Sequence, residues 1–421
     1  MTFKDIQDYA LNLAQNARTA SSNIRTVSAD IRNQILHRVA ESLRLHEAEI
    51  LEENGKDVEE NRATLSPAKL DRLTLDHGRI ELMAKGAEQI ASFPDPLGKI
   101  LEQRTLENGA EISRVSVPLG SVFFIYESRP NVTIDGAALC FKAGNAVILR
   151  SGKESLRSSQ ILARIFQDSL SEFGIDSHAV QLVELSDHAV VGALLKMRDY
   201  LDLVIPRGGE NLIRAVTEQS SIPVIKHFNG ICHIYVDKSA DIGMASQIVE
   251  NAKTQRPGTC NSMETLLLDK DLSDEAVQKI LAPLRRKKVE LFGDSLALTR
   301  IPDAKFIGDD SNYRHEYLAY KLSVRFVEGV KEACKHIEKY SSRHTESIIA
   351  KDKAAIDYFV SNVDSSSVMV NASTRLADGG VYGLGAEVGI STDKIHARGP
   401  MGVESLCSYK WVVVGNGQVR T

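Results

Sequence analysis

The sequence predicts an α/β protein of two lobes, each a parallel sheet covered by helices. Three observations predict it. Short apolar runs alternate with helical stretches from about residue 112 to 225, and the alternation resumes from about 232 to 402. A length of 421 residues allows two to three domains at about 150 residues each. The chain is 43% hydrophobic and 25% charged, a balance that builds an ordinary buried core and excludes a disordered or fibrous chain.

The first hundred residues read as helices. Ile31, Ile35, Val39, Leu43 and Ile50 recur at helical spacing between Ala29 and about Asn54, with Gly55 as the expected C-cap. Ser66-Pro67 reads as an N-cap followed by proline at the first helical position. Pro94-Asp95-Pro96-Leu97-Gly98 then punctuates the chain, and Ile112, Val115 and Val117 read as extended. Expected strands follow at Ser121–Tyr126, Ala146–Leu149, Val180–Glu184, Leu203–Ile205 and Val224–Ile225, with a helix at Val132–Lys142 ending at Gly144. The second region supplies Ile234–Val236, Thr265–Leu268, Ser323–Val327, Ser347–Ala350 and Ser367–Asn371. Trp411-Val412-Val413-Val414 reads as a terminal strand. There is no internal repeat and no low-complexity linker.

Charge and cysteine content narrow the function classes. With 51 basic and 56 acidic residues the formal net charge is −5, which gives no bulk attraction to nucleic acid. The five cysteines, at 140, 232, 260, 334 and 407, are odd in number, widely spaced and free of any C-x-x-C pair. Neither a disulfide framework nor a cysteine zinc site is expected. The N-terminus carries acidic residues and no continuous apolar segment, so it is not read as a secretory signal. No apolar stretch approaches the roughly 20 residues that span a bilayer. A cytoplasmic protein with no membrane and no nucleic-acid partner is expected.

The residues that carry chemistry each have a structural alternative. No G-x-x-x-x-G-K-[ST] phosphate loop is present. Gly383 to Gly389 has one residue too many for G-x-G-x-x-G and lies far from the first strand–helix unit. Arg207-Gly208-Gly209-Glu210-Asn211 sits between a strand and a helix; it is either a plain turn or a helix start whose N–H groups hold phosphate. Cys260 lies on the polar loop Thr254-Gln255-Arg256-Pro257-Gly258-Thr259-Cys260-Asn261-Ser262. Such a thiol is either inert or a nucleophile favoured by nearby N–H groups and Arg256. The other four cysteines read as packing residues. Asn131, after Arg129-Pro130, is either an N-cap or an amide donor to a developing oxyanion. Arg285-Arg286-Lys287-Lys288 reads as a solvated helix face. His227, His233, His344 and His396 show no metal-ligand spacing.

Taken together, these stretches resemble the γ-glutamyl phosphate reductase (glutamate-5-semialdehyde dehydrogenase) family of the aldehyde dehydrogenase superfamily. The resemblance covers almost the whole chain. It is carried by Tyr126-Glu127-Ser128-Arg129-Pro130-Asn131-Val132-Thr133, by Lys142-Ala143-Gly144-Asn145-Ala146, by the Thr254–Asn261 loop and by His344-Thr345-Glu346. It continues through Gly383–Thr392 and His396-Ala397-Arg398-Gly399-Pro400-Met401-Gly402. No kinase domain precedes these motifs, so the resemblance is to the monofunctional enzyme.

The resemblance implies an aldehyde dehydrogenase-like fold: a cofactor-binding domain over 1–97 and 118–228, a catalytic domain over 229–402, and a β oligomerisation arm from 98–117 and 403–421. It implies a phosphorylating, NADP-dependent enzyme: NADPH reduces L-glutamyl 5-phosphate to L-glutamate 5-semialdehyde and releases phosphate, in proline biosynthesis. Cys260 would form a thioester, and Asn131 with the Cys260 N–H would hold the oxyanion. Arg150 and Lys153 match the adenosine-ribose corner, where two cations suit a 2′-phosphate and therefore NADP. Gly208 and Gly209 join the cofactor set, and Glu316 matches the glutamate that binds the nicotinamide ribose. Arg129, Arg256 and Arg398 are the cations offered to substrate phosphate and carboxylate, while Asp378 or Glu387 could meet the ammonium. A homo-oligomer and an association with glutamate 5-kinase are expected partners.

One departure bears on the reaction. Hydrolytic aldehyde dehydrogenases place a glutamate base just before a Gly-Gly; here the position falls on His227 of His227-Phe228-Asn229-Gly230. An enzyme that exchanges its acyl group with phosphate has no use for an activated water. Two rival readings stand beside this one: a hydrolytic NAD(P)-dependent aldehyde dehydrogenase with His227 as a weaker base, and a non-catalytic protein that keeps the fold.

Overall fold

The structure is a computed structural model that describes residues 2–226, 229–384 and 386–420; His227, Phe228 and Gly385 lie outside the described residues. The chain forms two compact units, one from 1–226, 383–389 and 401–421, the other from 227–382 and 390–400.

The first unit begins with five helices: α1 (Phe3–Ile24), α2 (Ala29–Leu45), α3 (Glu47–Asn61), α4 (Pro67–Leu73) and α5 (His77–Ser92). Thr2, Ser28, Ser66 and Asp76 each accept an N–H three residues on, so α1, α2, α4 and α5 start at side-chain caps. The single helix expected from Ala29 breaks at His46, which ends α2 and starts α3. Gly55 is not a cap. It sits inside α3, because the buried face of that helix continues past it. Asn54 donates to Leu73 O (2.9 Å), and Asp57 accepts from the Ser158 N–H (2.8 Å) and hydroxyl (2.6 Å).

Strands β1 (Ile100–Thr105) and β2 (Glu111–Pro118) precede the first parallel sheet. That sheet is built from β3 (Ser121–Tyr126), α6 (Asn131–Lys142), β4 (Ala146–Arg150), α7 (Leu156–Glu172), β5 (Val180–Leu182), α8 (His188–Leu194), β6 (Leu203–Arg207) and α9 (Glu210–Gln219). Its order is β5-β4-β3-β6, all parallel. Every residue of β3 is buried, as a strand covered by helices on both faces requires. The expected strand at Val224–Ile225 is reduced to one bridge, Val204 to Val224.

The second unit holds β7 (Cys232–Val236), α10 (Ile242–Thr254), β8 (Met263–Asp269), α11 (Asp274–Arg286), β9 (Glu290–Gly293), α12 (Ser295–Arg300) and β10 (Lys305–Phe306). It continues with β11 (Lys321–Val327), α13 (Gly329–Tyr340), β12 (Thr345–Ile349), α14 (Lys353–Asn362) and β13 (Ser367–Val370). The sheet order is β10-β9-β11-β8-β7-β12-β13, again all parallel. The period of two along each strand separates two cores. Ile234, Val236, Leu266 and Leu268 pack with Val249 and Ile280 of α10 and α11. Tyr235, Leu267 and Ile348 pack with Ile337 and Phe359 of α13 and α14.

Near the end of the chain β14 (Gly389–Ser391) and β15 (Gly399–Met401) form a two-stranded ribbon. The terminal strand β16 (Cys407–Val414) pairs antiparallel with β2, giving a three-stranded sheet of order β1-β2-β16. Tyr409, Trp411, Val413 and Val414 of β16 are exposed. Among the described residues no helix is long and apolar enough to cross a membrane.

Candidate active site

In the first unit, β3 feeds β4 on one side while β6 lies on the other, so the strand order reverses beside β3. Ligands of open parallel sheets bind at such a reversal, beyond the carboxyl ends of the strands. A cavity of about 290 Å³ lies there, lined by Ile125 to Arg129, Arg150, Gly152, Glu154 and Leu212, with Lys69 and Arg72 of α4 and His188 of α8. A larger cleft of about 590 Å³ runs along α1, α3 and α7, but none of the site residues read from the sequence lines it.

Two glycines allow the close packing of the cavity wall. A Cβ on Gly152 would come 2.1 Å from Ser128 Oγ, and one on Gly208 would meet Leu212 at 2.8 Å and Glu127 Cγ at 2.9 Å. The Gly209 N–H donates to Glu127 Oε1 at 2.7 Å. A carboxylate therefore already occupies the N-terminal end of α9, the place where the sequence offers N–H groups to phosphate.

The charges here differ from the expected pair. Arg150 is buried, donates to Ser186 O at 3.3 Å, and keeps an Nε with no partner among the described residues. Burial pulls its affinity for the proton down, while Glu154 and Tyr126 oppose that. Lys153 is exposed and does not line the cavity; its neighbour Glu154 does. Ser128 donates to Glu154 at 2.6 Å. Burial would raise the Glu154 carboxyl, but this bond and the nearby Lys153 and Lys69 hold it below its ordinary value. Reading the sequence missed Lys69 and Arg72, because α4 is distant in the chain and carries no motif, and Glu154, because its neighbour Lys153 was the residue matched to the ribose corner.

Asn131 is the first residue of α6, not its cap, which is Pro130. Its amide donates to Asp135 Oδ2 at 3.0 Å, one turn on. Burial pushes the Asp135 carboxyl up to about 6, against the Asn131 bond and the charge of Arg207. Arg129 lines the same cavity as Arg150.

In the second unit, Cys260 is the half-buried cysteine; the other four are buried. It sits in a turn closed by Ser262 N–H to Thr259 O at 2.9 Å, between α10 and β8. The Cys232 thiol donates to Cys260 O at 3.2 Å. A Cβ on Gly230 would fall 1.6 Å from that same oxygen, so only glycine fits. The Gly230 N–H donates to Glu316 Oε1 at 2.8 Å, which ties Glu316 to the strand entry behind the thiol.

Beneath the loop lies a fully buried ion pair, Lys253 to Glu264 at 2.7 Å. Burial raises the Glu264 carboxyl to about 7 and lowers Lys253, each against the attraction of the other. Of the remaining substrate candidates, Arg256 is on the Cys260 loop. Arg398 instead grips Asp364, through Oδ1 at 2.8 Å and the carbonyl at 2.9 Å. One residue absent from the sequence reading stands out. Arg375 follows β13 and bonds both flanks of the Cys260 turn, to Thr259 Oγ1 at 2.9 Å and to Asn261 Oδ1. Its position just past the carboxyl end of a parallel strand is the signal that could have found it.

Two parallel-sheet units, one with a cation-lined cavity at a strand reversal and the other presenting a loop thiol, define a dehydrogenase-type α/β protein. Residues 5–296 match the sequence model of the aldehyde dehydrogenase family. The chain is 44% identical over 417 residues to the gamma-glutamyl phosphate reductase of Thermodesulfovibrio yellowstonii, covering 99% of this chain and 100% of that one. The crystal structure of gamma-glutamyl phosphate reductase from Thermotoga maritima is 40% identical, with a TM-score of 0.96 over 98% of this chain and 100% of that one. The corresponding enzyme structure from Saccharomyces cerevisiae is 32% identical, with a TM-score of 0.55 and 98% of each chain covered. The chain belongs to the aldehyde dehydrogenase family, and within it to the γ-glutamyl phosphate reductases.

Proposed function

We propose that this chain reduces L-glutamyl 5-phosphate to L-glutamate 5-semialdehyde with release of phosphate, the reductive step of proline synthesis from glutamate. Full-length similarity to proteins named for this reaction supports the reading. The observation that carries the mechanism is the half-buried Cys260, set on a turn that Gly230 and Arg375 confine.

The Cys260 thiolate attacks the acyl carbon, the acyl–phosphate bond breaks, and phosphate leaves with the bonding pair. The Asn131 amide has two N–H groups; one goes to Asp135, and the other is assigned to the oxyanion. The Cys260 backbone N–H is the second donor. Reduction leaves a thiohemiacetal on Cys260, which collapses to the aldehyde and regenerates the thiolate. Arg129 and Arg256 are the cations assigned to the substrate. Arg398 is left to its ion pair with Asp364.

Membership of the family implies a nicotinamide cofactor. The cavity fits one: it lies beyond the strand ends at the reversal, is lined by Arg150, Lys69 and Arg72, and Arg150 has a buried Nε with no partner among the described residues. When bound, the reduced nicotinamide supplies the hydride that takes the thioester to the aldehyde level. We assign NADPH rather than NADH, because Arg150, Lys69 and Arg72 line this cavity. Lys153 does not line the cavity and is given no contact; Glu316 is assigned to the nicotinamide side through its anchor on Gly230. We assign a homo-oligomer as the working form, with the exposed apolar face of β16 as the contact.

The direct test is Cys260→Ser. Turnover is expected to fall to background while the thermal midpoint and NADPH binding stay as in the parent. Retained turnover would remove Cys260 from its role.

A further inference from the structure

We propose that Arg375 is a positioning residue for the nucleophile, clasping the Cys260 turn from both of its flanks. The inference rests on the assignment of Cys260 above.

Arg375 lies in a single 3-10 turn, Thr374–Leu376, after β13. Its Nε donates to Gln255 Oε1 at 2.9 Å, at the end of α10. Its Nη1 donates to Thr259 Oγ1 at 2.9 Å and to Asn261 Oδ1. Thr259 and Asn261 are the residues immediately before and after Cys260. The bonding also runs back the other way, since Asn261 Nδ2 donates to Ala377 O at 2.9 Å. Asn261 is buried, which shields its bond from water, while the Gln255 bond lies at the surface. One guanidinium thus joins three acceptors spread over seven residues of the loop, using nitrogens at the fixed spacing of its planar fork, which the single nitrogen of an ammonium does not reproduce.

The clasp holds the turn that carries the thiol. Gly230 also abuts the turn, where a Cβ would strike Cys260 O. The turn is therefore held between a backbone contact and a side-chain contact, with little freedom to rotate. A displacement of about 1 Å at a reacting group can cost on the order of 100-fold in rate. The clasp also brings a permanent positive charge to the loop. Burial pulls the Arg375 affinity for its proton down; Asp378 opposes this, Arg256 adds to it, and Cys260 and Cys232 oppose it. The interaction with Cys260 is mutual, so the guanidinium favours the thiolate.

The test uses the full-length enzyme with R375Q, R375K and T259V. Three quantities are read: kcat and KM, the thermal midpoint, and the rate of Cys260 alkylation by iodoacetamide across pH, located by mass spectrometry. R375Q is expected to lower kcat by roughly 10- to 100-fold, with a smaller change in KM, and to move the alkylation midpoint to higher pH. R375K should restore the midpoint but not kcat, because it returns the charge without the three-way bridge. T259V, which removes the hydroxyl bonded to Arg375, Arg256 O and Asn261 and keeps the cation, should lower kcat less and leave the midpoint in place; it serves if R375Q does not fold. Unchanged kcat and alkylation in R375Q would overturn the proposal. A rise in KM alone would also overturn it, by making Arg375 a substrate contact. If Cys260→Ser retains turnover, it is the underlying nucleophile assignment that fails, not the clasp.

Discussion

Gly230 and Cys260 meet so closely that a Cβ on the glycine would stand 1.6 Å from the cysteine carbonyl oxygen. The obstacle is backbone, which cannot swing aside as a side chain can. Gly230→Ala must therefore push the Cys260 turn or the start of β7 out of place. The expected result is a loss of turnover of about 100-fold or more, with iodoacetamide alkylation of Cys260 altered in parallel. Parent-like turnover in this variant would show that the turn can shift without cost.

The cavity beside β3 presents Arg150, Lys69 and Arg72 against Glu154. Arg150→Ala should weaken binding of adenosine 2′,5′-bisphosphate by about 10-fold or more, and of 5′-AMP much less, since a charge-assisted contact contributes about 1.5–3 kcal/mol. Glu154→Gln should tighten the bisphosphate. Calorimetry on the two ligands makes the comparison. Equal losses for both would mean that Arg150 does not read the 2′ position.

His336 is buried among Tyr313, Tyr340 and His233, with neither ring nitrogen partnered among the described residues. Burial, then His233, Arg325 and Lys339, push it down to about 2. The unfolded chain takes a proton here as pH falls below about 6.5, and the folded chain does not. Stability from this group is thus complete above that pH and is lost on the way down, at up to about 1.4 kcal/mol per pH unit. Glu264 acts in the opposite sense. It protonates near 7 when folded and at its ordinary value of 4.5 when unfolded, so it favours the fold as pH falls between them. Comparing the parent with His336→Phe isolates the histidine. Denaturant titrations should show the gap between them moving in favour of the variant from pH 7 to pH 5. A gap independent of pH would mean that His336 takes its proton as readily in the fold as in the unfolded chain.

The sheet of β1, β2 and β16 leaves Trp411 and Val413 exposed on its terminal strand. A long apolar edge strand left bare invites pairing with another chain. Trp411→Glu with Val413→Lys should therefore lower the mass seen by sedimentation at micromolar concentration. A parent protein that already sediments as a monomer would remove the proposed oligomer.

Much of this was legible in the sequence for a physical reason. Ser121–Tyr126 is buried at every position, so its apolar run marks a strand of a covered parallel sheet with the bounds the sequence indicates. The Cys260 loop announces itself by polar and Gly-Pro content between a helix and an apolar strand. Contacts made across the chain stayed hidden. Gly55 looks like a stop only until Asn54 and Asp57 are seen bonded to residues far away. Arg375 and Lys69 are separated from their sites by more than 50 residues, and no local pattern joins them.

The central claim is that the acyl group on Cys260 is exchanged with phosphate and not with water. The reverse reaction tests it most directly: NADP-dependent oxidation of glutamate 5-semialdehyde, followed as NADPH absorbance with and without inorganic phosphate. The account predicts strict dependence on phosphate. Oxidation that proceeds without phosphate and yields free glutamate would contradict it, and would make His227 the first residue to test as a water-activating base.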